Sequence, residues 1–240
     1  PTLSELAEGK LTINDLKEVQ IEDLLTREIA RPNELLLNKN TRNQVVLVTG
    51  AGGSIGSELC RQILKRNPSK LVLMEMSEVA LYKIETELTE YLERSQSSTV
   101  IVSRLCNVRD AASIDTIISQ EKPHTFYHAA AYKHVPIVEN NICAGILNNV
   151  QGTLNCINSA IVHKVNQFIL ISTDKAVRPS NVMGASKRVA EMILQAQAQS
   201  QKSTKISMVR FGNVLGSSGS VVPRFRQQIE SGGPITLTHA

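Results

Sequence analysis

The chain has 240 residues, 42% of them hydrophobic and only 3% aromatic, with a net charge of +4. That length holds one full core and at most about two domains. The mild positive charge is spread without a Lys/Arg run, and aromatics are too scarce for base stacking, so a small anionic ligand is expected and nucleic acid is not. Cys60, Cys106, Cys143 and Cys156 form no C-x-x-C pair and no zinc-type cluster. They read as reduced thiols in a cytoplasmic domain, with no metal site expected. No run approaches the ~20 apolar residues of a membrane span and no signal peptide opens the chain. Pro1 and Ala240 are expected to be cut ends of a longer protein.

Residues 1–42 are polar and charged, and are expected to form an N-terminal arm that packs on the domain or touches another subunit. Within it Ile21, Leu24, Leu25 and Glu28 predict a short amphipathic helix that ends before Pro32. From Val45 the pattern changes. Val45–Val48 is a continuous apolar run, as in a strand buried on both faces. Ile55, Leu59, Ile63 and Leu64 then recur at helical spacing. Further strands are predicted at 71–74, 100–102, 126–130, 168–172 and 206–211. Helices are predicted around 81–92, 114–118, 142–163 and 183–199. Regular strand–helix alternation predicts an α/β fold: a Rossmann-type, doubly wound parallel sheet over 43–211, followed at 212–240 by the start of a substrate-binding cap.

Directly after the first strand comes Thr49-Gly50-Ala51-Gly52-Gly53-Ser54-Ile55-Gly56. A glycine triplet alone is a weak signal. One that follows a buried strand and opens a helix presents backbone N–H groups and a helix dipole to a pyrophosphate. Gly50, Gly53, Ser54, Ile55 and Gly56 are therefore candidate cofactor ligands. Glu75, at the end of the second strand, is placed to grip ribose hydroxyls, with Ser77 beside it. An acid there repels a 2′-phosphate, so NAD is expected in preference to NADP.

The G-x-x-G-x-x-G spacing resembles the extended short-chain dehydrogenase/reductases. So do Asn107-Val108, placed to meet adenine, and His128-Ala129-Ala130-Ala131, whose small residues Ala129 and Ala130 line the cofactor. Asn149-Val150-Gln151-Gly152-Thr153 matches the family's N-V-x-G-T. That superfamily pairs a Tyr with a Lys four residues later. Here the Lys is Lys187 and the Tyr position holds Met183, which carries no proton. The segment from Ser172-Thr173-Asp174-Lys175 to Met183-Gly184-Ala185-Ser186-Lys187 resembles the nucleotide-sugar 4,6-dehydratases of bacterial polysaccharide and glycan biosynthesis, of the CapD/WbpM type. The resemblance extends through Ala130–Pro136, Arg210–Ser217, Gly219–Phe225 and Pro234–Thr238, and takes in the arm at 21–25. Within that family, Met at the Tyr position marks the large, membrane-anchored enzymes that resemble C5-retaining UDP-N-acetylglucosamine dehydratases.

The resemblance implies oxidation at C4 of the sugar, loss of water across C5 and C6, and return of hydride to C6, with NAD unchanged overall. It implies Lys175 as the base and Asp174 as the acid. Lys175 must be neutral to act, although a free amine near ~10.4 is charged. Burial, Lys187 and the nicotinium charge favour the neutral amine, so a proton-sharing pair with both partners neutral is expected in the reactive form. Asp174, oriented by Thr173, is also the candidate acceptor for the C4 hydroxyl proton, with a water on Lys187 as the second candidate. Arg210, Asn213, Val214 and Arg224 are expected at the UDP, and Lys133 and His134 at the sugar. The expected partners are a UDP-sugar and a second copy of the chain, with the parent protein anchored at the cytoplasmic face of the inner membrane. Two rival readings are a sugar-nucleotide epimerase, which needs the Tyr, and a non-catalytic NAD-binding regulator, which has no use for Asp174 and Lys175 together.

Overall fold

The computed structural model describes residues 32–212, 214 and 221–236, with the side chains of 221–224 and 226 excepted. The helix expected at 21–28, Asn213 and the Arg224 side chain lie outside the described residues. Residues 33–214 make up one compact unit, which takes in 33–42 of the expected arm. It starts with α1 (Glu34–Lys39), capped by Asn33, whose side chain accepts from the Leu36 N–H. Six strands follow: β1 (Val45–Thr49), β2 (Lys70–Glu75), β3 (Val100–Leu105), β4 (Thr125–His128), β5 (Gln167–Thr173) and β6 (Lys205–Phe211). All neighbouring pairs are parallel, in the order β3-β2-β1-β4-β5-β6. The order reverses between β1 and β4, and such a switch point opens a crevice at the carboxyl ends of the strands.

Side-chain alternation along β1 explains the two layers. Val46 and Val48 face one side with Leu71 and Leu73, where α2 (Ser54–Leu64) and α3 (Glu78–Ser95) close the core through Cys60, Ile63, Leu64, Leu81, Ile84 and Leu88. Leu47 faces the other side with Val72, Phe126, Phe168 and Leu170. That face is covered by Ile114, Ile117 and Ile118 of α4 (Ala111–Glu121) and by Ile157 and Leu194 from later helices. Each such fully buried side chain stabilises the unit by roughly 1.5–3 kcal/mol. Ser77 and Asp110 cap α3 and α4 by accepting the N–H groups of Ala80 and Ser113.

The long helix expected at 142–163 is not uniform. After the short α5 (Val135–Asn140), with Pro136 in its first turn, the chain forms α6 (Ile142–Ile146), one π-helical turn at Leu147–Gln151, and then α7 (Gly152–Val162). The wider turn buries two amides, Asn148 and Asn149, at 2% and 1% exposure; such turns often mark functional sites. After β5 a single 3₁₀ turn, Asp174–Ala176, leads to α8 (Val182–Ser200). Outside the unit of 33–214, α9 (Val221–Glu230) is followed by Thr236, whose N–H and hydroxyl both bond the Gln228 amide. No helix among the described residues is long and apolar enough to cross a membrane.

Candidate active site

Thr49 ends β1, and Gly50 turns the chain at φ +65°. A Cβ on Gly50 would stand 2.8 Å from the Ala130 backbone, so glycine lets the turn close against the end of β4. Gly53 occupies the N-cap of α2 without a side chain to cap it, so the helix start faces outward as backbone. Glu75 is held inward. Its Oε2 accepts from the Gly52 N–H at 3.1 Å, and its Oε1 accepts from Met76 at 2.9 Å and Ser77 at 3.1 Å. The carboxylate thus fixes the glycine turn and the start of α3 together.

Two adjoining clefts share Gly50, Gly53, Ala129, Ala131 and Tyr132. The first, of about 240 Å³, runs over Glu75 and adds Met76, Cys106, Val108, Ala130 and Asn148. The second, of about 330 Å³, adds Ser54, Ile55 and Gly56 with Lys133, His134 and Ile137. Lys133 and His134, expected at a sugar, therefore line the cleft that holds the helix start. Asn107 is not among the lining residues; its Oδ1 accepts the Arg109 N–H at 3.0 Å. Ser77 opens instead onto an outer cleft of about 410 Å³ with Arg61 and Lys83. Sequence reasoning did not find Met76, Cys106 or Asn148 as lining residues. The Asn-Asn pair at 148–149 was the available signal, since two amides interrupt a largely apolar helical stretch.

A buried hydrogen-bond chain ties β1 to the π turn. Thr153 Oγ1 donates to the Asn149 carbonyl at 2.7 Å, so it accepts from His128 Nε2 at 3.1 Å. His128 Nδ1 is then the acceptor for the Thr49 hydroxyl at 2.7 Å. Burial and the nearby Lys187 charge lower the His128 pKa to about 3, so the ring is neutral with its proton on Nε2. The Asn149 amide donates to the Tyr132 carbonyl and to Ser186 Oγ, each at 3.0 Å. Ser186 in turn donates to the Met183 carbonyl at 2.7 Å.

The second group of candidates lies at the ends of β5 and β6. Thr173 Oγ1 donates to Asp174 Oδ1 at 2.9 Å, and Lys175 Nζ donates to the same oxygen at 3.3 Å. The Thr173 hydroxyl first, against some burial, and then Lys175 hold the Asp174 carboxyl below the usual carboxylate range. At rest Asp174 is therefore held as a carboxylate. Asp174 Oδ2 faces Gly212, where a Cβ would stand 3.4 Å away. Asn181 caps α8 through the Gly184 N–H at 2.8 Å. A side chain on Gly184 would strike the Lys175 carbonyl, so glycine there lets the 3₁₀ turn lie on the helix start. Met183 is 4% exposed in the first turn of α8. Lys187 is buried one turn on, donating to the Ile171 carbonyl at 2.7 Å. Burial, opposed by Glu191, brings its pKa down to about 8. Arg210 is engaged within the protein: its Nε and Nη2 bond the two carboxylate oxygens of Glu191 at 2.7 and 2.5 Å. Val214 is 40% exposed at the end of the unit.

Residues 46–240 match the polysaccharide biosynthesis protein family. The chain belongs to that family. It is 47% identical over its whole length to the capsular polysaccharide biosynthesis protein CapD of Staphylococcus aureus, of which it spans 39%. It is 33% identical over 82% of its length to a UDP-glucose 4-epimerase of Rickettsia rickettsii, covering 56% of that protein. Among solved structures, Pen from Bacillus thuringiensis superposes with a TM-score of 0.75 at 30% identity, over 83% of this chain and 61% of Pen. The chain thus spans about two fifths of CapD, and the match is of a CapD-type family member on a Rossmann-like, short-chain dehydrogenase/reductase sheet.

Proposed function

We propose that the chain is the catalytic core of an NAD-dependent nucleotide-sugar 4,6-dehydratase that acts on UDP-N-acetylglucosamine in surface polysaccharide synthesis. The observation that carries this reading is the Asp174–Lys175 pair on a 3₁₀ turn, set beside a buried Met183 where a dehydrogenase would need a proton-bearing side chain. The residues present fit a dinucleotide. The glycine turn and open helix start suit its pyrophosphate, Glu75 stands at the ribose end, and the clefts over Val108, Ala129 and Ala130 suit the rings. When bound, NAD⁺ supplies a hydride acceptor for C4 and a hydride donor for C6.

The side chains have separable roles in this reading. Asp174, ionic at rest, takes the C4 hydroxyl proton, with Thr173 orienting Oδ1 and leaving Oδ2 toward Gly212. Lys175, after giving a proton to solvent, removes the C5 proton, acidified by the C4 ketone; Asp174 gives its proton to the departing C6 hydroxyl; and Lys175 returns a proton to C5 as C6 receives hydride. Lys187 supplies a buried positive charge next to the site. The likeness to a UDP-glucose 4-epimerase favours an epimerase as the second reading. The Asp174–Lys175 pair counts against it, since epimerisation at C4 needs neither a base for the C5 proton nor an acid for a leaving C6 hydroxyl.

The test is incubation of the protein, at the full length of its relatives, with UDP-N-acetylglucosamine and NAD⁺ in heavy water. Loss of one water with deuterium at C5 supports the dehydratase. Inversion at C4 without loss of water supports the epimerase and overturns it.

A further inference from the structure

Glu191 takes no part in the chemistry above, yet its side chain is fully buried on α8, one turn after Lys187. Its Oε1 accepts from the Ser172 hydroxyl at 2.6 Å and from Arg210 Nε at 2.7 Å; its Oε2 accepts from Arg210 Nη2 at 2.5 Å and Arg188 Nη1 at 3.1 Å. Ser172 and Arg210 are register partners on β5 and β6, so one carboxylate grips both strands at the same rung. The next residues along those strands are the ones the reaction needs: Thr173 and Asp174 after Ser172, and Gly212 facing Asp174 Oδ2 two residues after Arg210.

Burial alone would raise the Glu191 pKa, but the hydrogen bonds from Arg210, Ser172 and Arg188 outweigh it and hold it at about 2. Apolar side chains of similar volume commonly stabilise such a spot as well as a buried ion pair does. What a carboxylate adds is direction, because its two oxygens fix where each donor must stand.

We propose that Glu191 is a positioning residue that sets Asp174, Gly212 and Lys187 in register by clamping the ends of β5 and β6 to α8. The catalytic consequence rests on the dehydratase reading; the clamp itself does not. Hydrogen exchange of the backbone tests the clamp directly, in Glu191→Gln, Glu191→Asp and the milder Ser172→Ala, with the glycine turn at 50–56 as internal reference. In Glu191→Gln, exchange at 172–176 and 210–212 is expected to rise on the order of tenfold while 50–56 stays as in wild type. In Ser172→Ala the rise is confined to 172–176, and this variant decides the matter should Glu191→Gln fail to fold. Unchanged exchange at 172–176 in Ser172→Ala overturns the clamp, as does a uniform rise along the whole sheet in a folded Glu191→Gln. In turnover of UDP-N-acetylglucosamine, Glu191→Gln is expected to lower kcat on the order of a hundredfold with KM little changed, and Glu191→Asp to recover part of it. A loss confined to KM overturns the positioning role. Should the wild-type protein not turn over the sugar, the dehydratase reading falls and the exchange pattern still decides the clamp.

Discussion

Asn149 pairs with the backbone of Tyr132 much as a neighbouring strand would, accepting its N–H at 2.8 Å and donating to its carbonyl at 3.0 Å. Tyr132 lines both clefts, so a side chain in the π turn sets the wall of the candidate cofactor site. Asn149→Asp keeps the acceptor but loses the donor to Tyr132 and Ser186. The expected outcome is a loss of about 1–3 kcal/mol in stability and a weaker rise in Tm on adding NAD⁺. Urea unfolding and a thermal shift series measure the two effects separately.

Asp174→Asn removes the group assigned to both the C4 hydroxyl and the leaving C6 hydroxyl. Its side chain is exposed, and a neutral amide still accepts from Thr173, so fold and cofactor binding are expected to be retained. NADH formation from the nucleotide sugar in a single turnover should fall by about 10³-fold or more, together with dehydration. NADH formation at the wild-type rate with dehydration lost would remove Asp174 from the first step.

Lys187 is buried as a cation, with its pKa brought from 10.5 to about 8. A lowered folded-state pKa means that the cost of burying the charge is full below about pH 8 and is relieved as pH rises toward 10.5. Lys187→Met removes that cost but leaves the Ile171 carbonyl without its donor. A net gain of about 1–2 kcal/mol at neutral pH is expected, with activity abolished. Wild type should gain stability between pH 8 and 10 while the variant does not.

His128 has the opposite pH window. Its pKa falls from 6.5 to about 3 on folding, through burial first and the Lys187 charge second. The unfolded chain therefore binds a proton that the folded chain refuses, and stability falls as pH drops below 6.5. Between about pH 7 and pH 5 this amounts to about 2 kcal/mol. His128→Gln is expected to lose that share of the slope in urea midpoints measured across the window.

The strands were legible because parallel strands buried on both faces read as unbroken apolar runs, as at Val45–Val48. Helices with one apolar stripe were legible for the same reason, although α5 escaped notice because Pro136 masks its short turn. The glycine turn and Glu75 were visible as a motif, since their chemistry is local in sequence. The clamp was not. Glu191 looks like one more charge on a polar helix, and its inward position appears only when Ser172 and Arg210, each 19 residues away, arrive on adjacent strands. The pairing of Arg210, within β6, with Glu191 was hidden for the same reason. The π turn was equally hidden, because one surplus residue does not disturb apolar spacing enough to separate it from an ordinary helix.

That surplus residue works like a spacer shim. Each residue in an α-helix advances the next side chain by about 100° around the axis. Deleting any one of residues 147–151 would restore regular winding and leave the chain with more uniform local bonding. It would also re-aim the side chains inside the turn by up to that angle, so that Asn148 and Asn149 no longer pointed where Tyr132, Ser186 and the cleft now find them. A repair that makes the helix locally more ideal would in this way unmake the site, and a one-residue deletion here should be far less tolerated than a substitution at the same place.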